Sequence, residues 1–460
     1  MSTRDSAATA SISDFEKAAP TDPEIGNTPA PPFTETEDEP HEKVDTAPAS
    51  AASAWNSSDA PDGGVTAWLV VFGAWCTSFC SFGWLNSIGT FQEYYSVELL
   101  SQYSAGKISW IPSLQLFFMF AMGPIVGSLY DRYGPRYLII AGSFLHVFGL
   151  MMASISTEYY QIMLAQGVCS AIGVSLIFQP ALNVIVGWFN EKRGMAYGIL
   201  STGSSIGGVI YPIMISHLIP KVGFGWAMRI AAFLILFLLI LAILTVKSRF
   251  APNKQHLSRK QMMAPFCEPV FIALNAGLCL FTFGMFVPIN YLVVEATSRG
   301  MSPDLAHYLV AMFNAASLFG RLLTGFLADK IGKYNVFTVA ALATGTTTLA
   351  LWLPSGRNDG AHIAYTVLYG FFSGAYVSLI AGLVAQVSPM KEIGFRTGLV
   401  FFVNSIGALT TSPIAGAILE RENGGWTGVK VFSGVFCIAG TAFVFAARVY
   451  KVGWKLNAFF

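Results

Sequence analysis

The sequence predicts an all-α membrane protein in which twelve transmembrane helices form two pseudo-symmetric six-helix bundles. The first observation is composition: 54% of the 460 residues are hydrophobic and 12% are charged, with a mean hydropathy of +0.56. A soluble chain of this composition could not cover its surface with polar side chains. The second observation is a series of long uncharged runs, and the third is a motif that recurs after about 200 residues.

Uncharged runs long enough to cross a bilayer begin at residue 65. Residues 65–92, 108–130 and 137–157 contain no Asp, Glu, Lys or Arg, and about 20 residues cross the hydrocarbon core as a helix. The runs are continuously apolar instead of alternating, which favours helices over barrel strands. The other spans are predicted at 160–188, 194–217, 225–246, 268–294, 305–328, 334–354, 362–388, 395–419 and 428–449.

The polar segments divide the chain into five parts. Residues 1–60 contain 12 acidic and 3 basic residues and little apolar clustering, which predicts a disordered acidic cytoplasmic tail. A plain spacer and a target of regulatory phosphorylation are both open for this tail. The other parts are an N-terminal bundle at 61–246, a basic cytoplasmic linker at 247–265, a C-terminal bundle at 266–450 and a short cytoplasmic tail at 451–460.

Basic residues cluster in the breaks that follow even-numbered spans, for example Arg132, Lys192 and Lys330. By the positive-inside rule these breaks are cytoplasmic, and an even number of spans places both termini there as well. The linker has five basic residues and no acidic one, which suits either contact with membrane lipid or plain topogenic charge. We therefore expect an integral, multi-pass protein of the plasma membrane that does not bind nucleic acid.

A short motif ends the second predicted span and recurs at the end of the eighth. Residues 127–134 read Gly-Ser-Leu-Tyr-Asp-Arg-Tyr-Gly and residues 325–332 read Gly-Phe-Leu-Ala-Asp-Lys-Ile-Gly (325 minus 127, or 198 residues apart). In each copy the aspartate stands beside a basic residue and can accept hydrogen bonds from a helix N-terminus. Such a cluster could hold one side of the protein shut. The predicted cytoplasmic gate consists of Asp131, Arg132, Arg136, Asp329 and Lys330.

Glycines recur at intervals near one helical turn on the fifth and eleventh predicted spans. The fifth span has Gly194, Gly198, Gly203 and Gly207. The eleventh has Gly394, Gly398 and Gly407. Small residues at this spacing create smooth helix faces, which serve either tight packing or sliding against a neighbouring helix.

The motif at residues 127–136 resembles the loop signature of the major facilitator superfamily, which lies between spans two and three and is repeated between spans eight and nine. The second copy departs from it, because Asn335 stands where the final Arg is expected. Two further segments resemble the fungal branch of the monocarboxylate-porter family within that superfamily: residues 62–68 (Asp-Gly-Gly-Val-Thr-Ala-Trp) and 187–198. The resemblance implies a secondary transporter whose two halves rock about a central site.

The resemblance does not extend to the residues that serve lactate–proton cotransport in animal members of the family. Animal members of the family that cotransport lactate and a proton carry a Lys in the first span, where this chain has Asn86. They also carry an Asp one turn before an Arg in the eighth span, where this chain has Ser317 before Arg321. This departure from the family pattern argues against proton symport by the animal mechanism and leaves proton coupling through other residues open.

Arg321 is a basic residue well inside an apolar span, where a charge needs a partner or a hydrated cavity. It could bind a carboxylate or another anion, or it could pair with Asp329 two helical turns further along. Polar residues at a similar depth that could line the same solute site are Asn86, Gln179, Asn183, Asn290, Tyr291, Asn314, Tyr376 and Asn404.

These features favour a secondary active transporter that moves a small organic anion or metabolite by alternating access, in the direction of export, with a secondary metabolite as the expected solute. An importer of a monocarboxylate or vitamin-like solute and a non-transporting membrane sensor are the alternatives. The sequence has no nucleotide-binding Gly-rich loop, no enzyme constellation and no metal-type spacing of Cys and His. We therefore expect no cofactor, no metal and no catalytic residue.

Overall fold

The computed structural model describes residues 60–250, 258–455 and 458–460. The predicted acidic tail, up to residue 59, and residues 251–257 of the predicted linker lie outside this part of the chain. The described residues belong to one compact unit, and their helices fall into two successive groups of six.

The first group comprises α1 (Val65–Leu99), α2 (Gly106–Tyr133), α3 (Pro135–Ala153), α4 (Tyr159–Trp188), α5 (193–222) and α6 (224–245). A short linker helix, Arg259–Met263, follows. The second group comprises α7 (Pro269–Ser298), α8 (Pro303–Ile331), α9 (Lys333–Thr347 continued by Thr348–Trp352), α10 (Asp359–Gln386), α11 (Met390–Arg421) and α12 (Thr427–Val452).

The predicted fold class is confirmed. Ten helices of the described residues are long and apolar enough to cross a membrane. One of them, Arg193–Thr245, is two helices that meet at Gly223, whose φ of 80° is outside the helical region. Separating these two and adding α9 gives the twelve spans that the sequence predicts, within a few residues of the expected boundaries.

Large apolar side chains point outward along these helices. Phe144, Phe237 and Phe319 are 67%, 59% and 64% exposed, on three different spans. Exposure of this kind would be unfavourable in water but suits contact with lipid. The protein is therefore an integral, multi-pass membrane protein.

The two ends of the helix assembly are distinguished by the repeated motif. We call the end that carries Asp131 and Asp329 the motif end, and the opposite end, which carries Ser96, Ser298 and Glu420, the open end. Helix α1 is interrupted by a turn at Asn86 and Ser87, halfway between the two ends. Interrupted helices of this kind are found where a membrane protein lines a hydrated cavity.

Candidate solute cavity and its closed end

A cavity of about 1930 Å³ lies between the two halves. Its walls come from α1, α2 and α5 in the first half and from α7, α8, α10 and α11 in the second. The lining extends from Arg321 in the middle of α8 to Ser96, Ser298 and Glu420. The cavity therefore reaches the surface at the open end.

The motif end is closed by a contact between α2 and α11. Both carboxylate oxygens of Asp131 accept backbone hydrogen bonds at the start of α11, from Gly394 N and Phe395 N, each at 2.9 Å. Asp131 is 4% exposed. A buried carboxylate at a helix N-terminus is stabilised by the free N–H groups and by the helix dipole.

The second motif makes the same contact between α8 and α5. Asp329 Oδ1 accepts from Gly194 N at 2.6 Å, and Asp329 Oδ2 accepts from Met195 N at 2.7 Å. Each half of the protein therefore supplies one aspartate that caps a helix of the other half.

Glycines allow the helix backbones to meet next to each aspartate. A Cβ atom on Gly127 would collide with the Gly394 carbonyl, and a Cβ on Gly123 would collide with that of Gly398. On the other side, a Cβ on Gly325 would lie 2.5 Å from the carbonyl oxygen of Gly194. Of the glycines that the sequence marks on α5 and α11, Gly194, Gly198, Gly394 and Gly398 lie in these interfaces, whereas Gly203 and Gly207 pack on α1 and Gly407 packs on α7.

The basic residues of the predicted gate are not hydrogen-bonded to the two aspartates in this structure. Arg132 stacks over the Tyr133 ring at 5.1 Å and Lys330 over the Phe326 ring at 4.3 Å, while Arg136 is exposed. An ion pair at this end was not predicted from the sequence. Arg396 on α11 donates to both oxygens of Glu268, at 2.6 and 2.7 Å.

The two segments that resemble the monocarboxylate-porter family contact each other at the motif end. Asp62 Oδ1 accepts from Asn190 N at 2.7 Å and from Lys192 N at 3.1 Å. Asp62 N donates to the Trp188 carbonyl at 3.2 Å. The start of the chain's first span thereby fixes the loop that leads into α5, the helix capped by Asp329.

Arg321 lies at the floor of the cavity and is 5% exposed. Its Nε donates to Ser317 Oγ at 3.0 Å, and its Nη1 donates across to α5, to the Ser201 carbonyl at 2.5 Å and to Ser204 Oγ. The two N–H groups on Nη2 have no hydrogen-bond partner among the described residues. No carboxylate of those residues forms an ion pair with Arg321, and Asp329, the alternative partner, is engaged by α5.

Five of the predicted site residues line the cavity: Arg321, Asn86, Asn290, Tyr291 and Tyr376. Several of them are held in place by hydrogen bonds. Asn290 Nδ2 donates to Ser412 Oγ at 2.9 Å, and Tyr291 donates to the Ser412 carbonyl at 2.9 Å. Asn86 Nδ2 donates to the Phe82 carbonyl at 2.8 Å. Their remaining polar atoms are available to a solute.

Four other predicted site residues are buried behind the cavity wall. Gln179 and Asn183 lie on α4, which contributes no residue to the lining, and Gln179 donates to Ser175 Oγ at 3.0 Å. Asn404 Nδ2 donates to the Tyr376 hydroxyl at 2.9 Å and so supports a lining residue. Asn314 donates to the Gly208 carbonyl on α5 at 3.4 Å. Sequence depth alone could not distinguish these positions from lining ones.

Aromatic and aliphatic side chains form much of the wall, among them Phe82, Trp110, Phe286, Phe313 and Tyr369. Such a lining favours a ligand with a sizeable apolar body and a few polar groups.

Among the described residues, no group of three or more His, Cys, Asp or Glu side chains could hold a metal ion.

A buried ionisable cluster at the open end was not found from the sequence. Glu295 of α7 contacts His362 of α10 and Lys430 of α12. The available signal was the depth of these residues, because Lys430 falls inside the predicted twelfth span and Glu295 is the residue after the predicted seventh.

A sequence profile of the Major Facilitator Superfamily matches residues 67–294 and again residues 270–458. The chain belongs to the major facilitator superfamily. It is therefore a membrane transporter, and the cavity between its halves is in the place where a secondary transporter of this architecture carries its solute.

Curated fungal relatives match most of this transporter. It is 61% identical over 397 residues to the MFS transporter asaE of Aspergillus flavus, covering 86% of this chain and 90% of that one. It is 52% identical over 402 residues to the fujikurins efflux protein of Gibberella fujikuroi (87% and 86% covered). It is 39% identical over 391 residues to the aspyridones efflux protein apdF of Emericella nidulans (85% and 79% covered).

Solved structures share the fold at low identity. The Escherichia coli fucose:proton symporter FucP is 15% identical, with a TM-score of 0.63 over 82% of this chain and 98% of that one. A structure of FucP in the outward conformation is 16% identical, also with a TM-score of 0.63, over 83% and 99%. A peptide transporter POT in complex with sulfate gives 13% identity and a TM-score of 0.63 over 87% and 98%.

Proposed function

We propose that this transporter exports a fungal secondary metabolite that combines an anionic group with an apolar body. The observation that carries the proposal is Arg321, a buried cation at the floor of a large, partly aromatic cavity, without an acidic partner among the described residues. Removing a guanidinium from water costs on the order of several kcal/mol unless hydrogen bonds and an opposite charge compensate for the lost hydration. Serine contacts supply hydrogen bonds, and an anionic solute would supply the charge.

The donors left on Arg321 define how the solute would bind. Nε and Nη1 are used by Ser317, Ser201 and Ser204. The solute anion would therefore approach Nη2, with Tyr376 and Asn86 as nearby polar groups on the cavity wall. Its apolar body would extend toward the open end, against Phe286 and Trp110.

The contacts at the motif end support alternating access in which the two bundles, 61–246 and 266–450, move as bodies. Asp131 and Asp329 each cap a helix of the opposite half. Both caps must break before the cavity can reach the motif end. Asp131 and Asp329 are thus the gate, with Arg132, Arg136 and Lys330 acting as surface charges beside it.

Export is supported by two of the relatives, which are efflux proteins for fujikurins and aspyridones. We further propose that the chain belongs to the fungal branch of the monocarboxylate-porter family; the contact between Asp62 and the loop before α5, which joins the two segments that resemble that family, supports this. In the plasma membrane with both termini cytoplasmic, the open end would face outward. A proton moving inward would supply the driving force for export.

The test is a comparison of metabolites inside and outside fungal cells that carry or lack the gene. Export predicts that deletion raises the internal amount of at least one product and lowers its external amount. Loss of growth on an external solute, with unchanged product distribution, would instead establish import. Restoring the gene should reverse either effect.

Arg321→Gln and Arg321→Lys then test the site. Gln removes the charge, so export of an anionic product should fall to the level of the deletion strain, while Lys keeps the charge and should retain part of the flux. Arg357→Gln is the matched control because Arg357 is exposed beyond α9 and does not line the cavity. Wild-type export by the Arg321→Gln variant would remove Arg321 from the site.

A further inference from the structure

Three ionisable side chains meet inside the second half of the transporter, away from the cavity. Glu295 on α7, His362 on α10 and Lys430 on α12 are 0%, 1% and 1% exposed. Apolar side chains surround them, including Leu292 and Val429. Ionisable groups in such surroundings are costly, so their arrangement has to satisfy one another.

Glu295 is the centre of the cluster. Its Oε2 lies 2.5 Å from His362 Nε2 and accepts from Trp352 Nε1 at 3.3 Å. Its Oε1 lies 2.7 Å from Lys430 Nζ and 3.4 Å from Arg299 Nε. The Arg299 side chain is 35% exposed, so the cluster adjoins the surface of the open end.

His362 faces an oxygen atom with each of its two ring nitrogens. Nδ1 lies 3.1 Å from the Asn358 carbonyl, and Nε2 lies 2.5 Å from Glu295 Oε2. A neutral imidazole carries a hydrogen on one nitrogen only, so its other nitrogen directs a lone pair at an oxygen atom. A further proton, on Nε2 or on Oε2, allows both contacts to be hydrogen bonds.

Lys430 makes the same proton removable. Its ammonium group donates to the Trp352 carbonyl at 2.8 Å and to Ser355 Oγ at 3.3 Å, in addition to its ion pair with Glu295. When the proton leaves, the charges of Glu295 and Lys430 still balance. The cluster can therefore exist with and without the proton, but both ring nitrogens of His362 can be hydrogen-bonded only with it.

Helix α7 connects this cluster to the cavity. Tyr291, Val294 and Ser298 line the cavity from one face of α7, and Glu295 projects from another face toward α10 and α12. Loss of the proton would leave one N–H on the His362 ring, and with that N–H on Nδ1 the contact between Glu295 and His362 would lengthen. The part of α7 that lines the open end would then be less firmly held against α10.

We propose that Glu295 and His362 form a proton-binding site that stabilises the conformation open at the open end. The inference rests on the proposed function, for which it names the site of the coupled proton. The proton is taken up from solution at the open end and is shared by Glu295 Oε2 and His362 Nε2. Lys430, Arg299 and the Tyr365 ring on α10 are the other titratable groups that face the pair.

The sign of the effect follows from linkage. The state that holds the proton more tightly gains population as pH falls. We therefore expect the cavity to be more accessible from the open end at low pH. A proton held about ten times more tightly in this state would change the ratio of the two states about tenfold across its titration.

The experiment uses the full-length transporter in reconstituted vesicles and needs no solute. A cysteine is introduced by Ser113→Cys, at a cavity position near the open end, in a Cys267→Ser background that removes the exposed native cysteine. Labelling by a membrane-impermeant maleimide is followed between about pH 5 and pH 8, where histidine titrates. Rates are normalised to the unfolded protein at each pH because the thiolate fraction itself rises with pH.

The expected result is about a tenfold fall in normalised labelling as pH rises. His362→Gln should abolish this dependence and keep labelling high, because the Gln amide donates to Glu295 at every pH. Glu295→Gln, whose amide can donate to neutral His362, should also abolish it and serves as the second variant. His146→Gln is the matched control: His146 is fully buried in the first half, bonded to Ser170 Oγ and the Cys80 carbonyl, and should leave the profile unchanged.

A pH-independent wild type would overturn the proposal, and so would a wild-type profile in a folded His362→Gln variant. A lower melting temperature with an unchanged profile would show that the cluster is only structural. Because labelling does not depend on flux, a failed export assay with the expected profile would count against the proposed function alone.

Discussion

The two helix interfaces that close the motif end are related by the internal repeat, yet they differ where they approach the cavity. Asp131 and Gly127 on α2 correspond to Asp329 and Gly325 on α8, 198 residues later. One turn deeper, Gly123 corresponds to Arg321. Gly123 brings the backbones of α2 and α11 together at Gly398, whereas Arg321 reaches across to Ser201 and Ser204 on α5.

The partner helices differ at the same depth. Ser201 and Ser204 on α5 correspond to Phe401 and Asn404 on α11, 200 residues later. Phe401 stacks on Phe120 of α2, with ring centroids 5.4 Å apart. The α2–α11 interface is therefore apolar beneath its aspartate, and the α5–α8 interface carries a cation. The internal repeat therefore preserves the contacts that close the motif end, and the two interfaces differ where a solute would be recognised.

The largest expected effect comes from breaking the tighter interface by steric overlap. In Gly127→Val the new side chain would overlap the Gly394 carbonyl, which as backbone cannot move aside. Overpacking of about 3 kcal/mol or more would lower the population with a closed motif end at least about 150-fold. Export should fall to the level of the deletion strain, and labelling of a Ser113→Cys reporter should fall with it. Gly63→Ala, where a Cβ has open space, is the control; normal export by Gly127→Val would refute the close approach.

A smaller effect separates the two aspartates. Asp131→Asn and Asp329→Asn each keep one acceptor and place an amide N–H₂ against a backbone donor, which costs about 1.5–3 kcal/mol. We expect the Asp131 variant to lose more of the closed motif end, because Arg321 continues to hold α8 to α5 when Asp329 is changed. Reporter labelling in the two variants checks the order. Equal losses would mean that Arg321 adds nothing to the α5–α8 interface.

The smallest effect concerns the support of Arg321. Ser204→Ala removes one acceptor of Nη1 and leaves the charge, so we expect a loss of about 0.5–1.5 kcal/mol. Once the exported product is known, its half-saturating concentration should change a few-fold, with the maximal flux nearly preserved. Ser143→Ala provides the comparison: Ser143 is buried on α3, which contributes no residue to the cavity lining, and its hydroxyl donates to the Ile139 carbonyl of the same helix at 2.7 Å. No change in half-saturation would place the solute away from Arg321.

Much of the fold could be predicted because membrane insertion is governed by composition along the chain. Each span is a long apolar run, and the backbone must satisfy its own hydrogen bonds in lipid, so helix number and limits follow from the sequence. The Gly and Asp residues of the motif could be recognised as contact residues because the motif recurs 198 residues later. Their partners could not, because Asp131 lies more than 260 residues from Gly394 and Phe395.

The candidate site was predicted less completely. Helical depth places Asn86, Asn314 and Gln179 at similar levels, but depth does not determine which face of a helix meets the cavity. Asn86 lines it, whereas Asn314 and Gln179 are engaged by neighbouring helices. The cluster of Glu295, His362 and Lys430 was missed because its members come from three spans, each near a span end where a charge looks ordinary.

Apolar length, charge placement and repetition are local properties, so the sequence alone indicates a doubled, twelve-span membrane protein with a repeated motif and a basic residue, Arg321, inside a span. The tertiary structure was needed to show that the motif aspartates cap helices of the opposite half, that Arg321 faces a cavity instead of Asp329, and that Glu295 and His362 lie 2.5 Å apart. Those contacts depend on how helices distant in the sequence are rotated against one another, and side-chain packing between the spans sets that rotation.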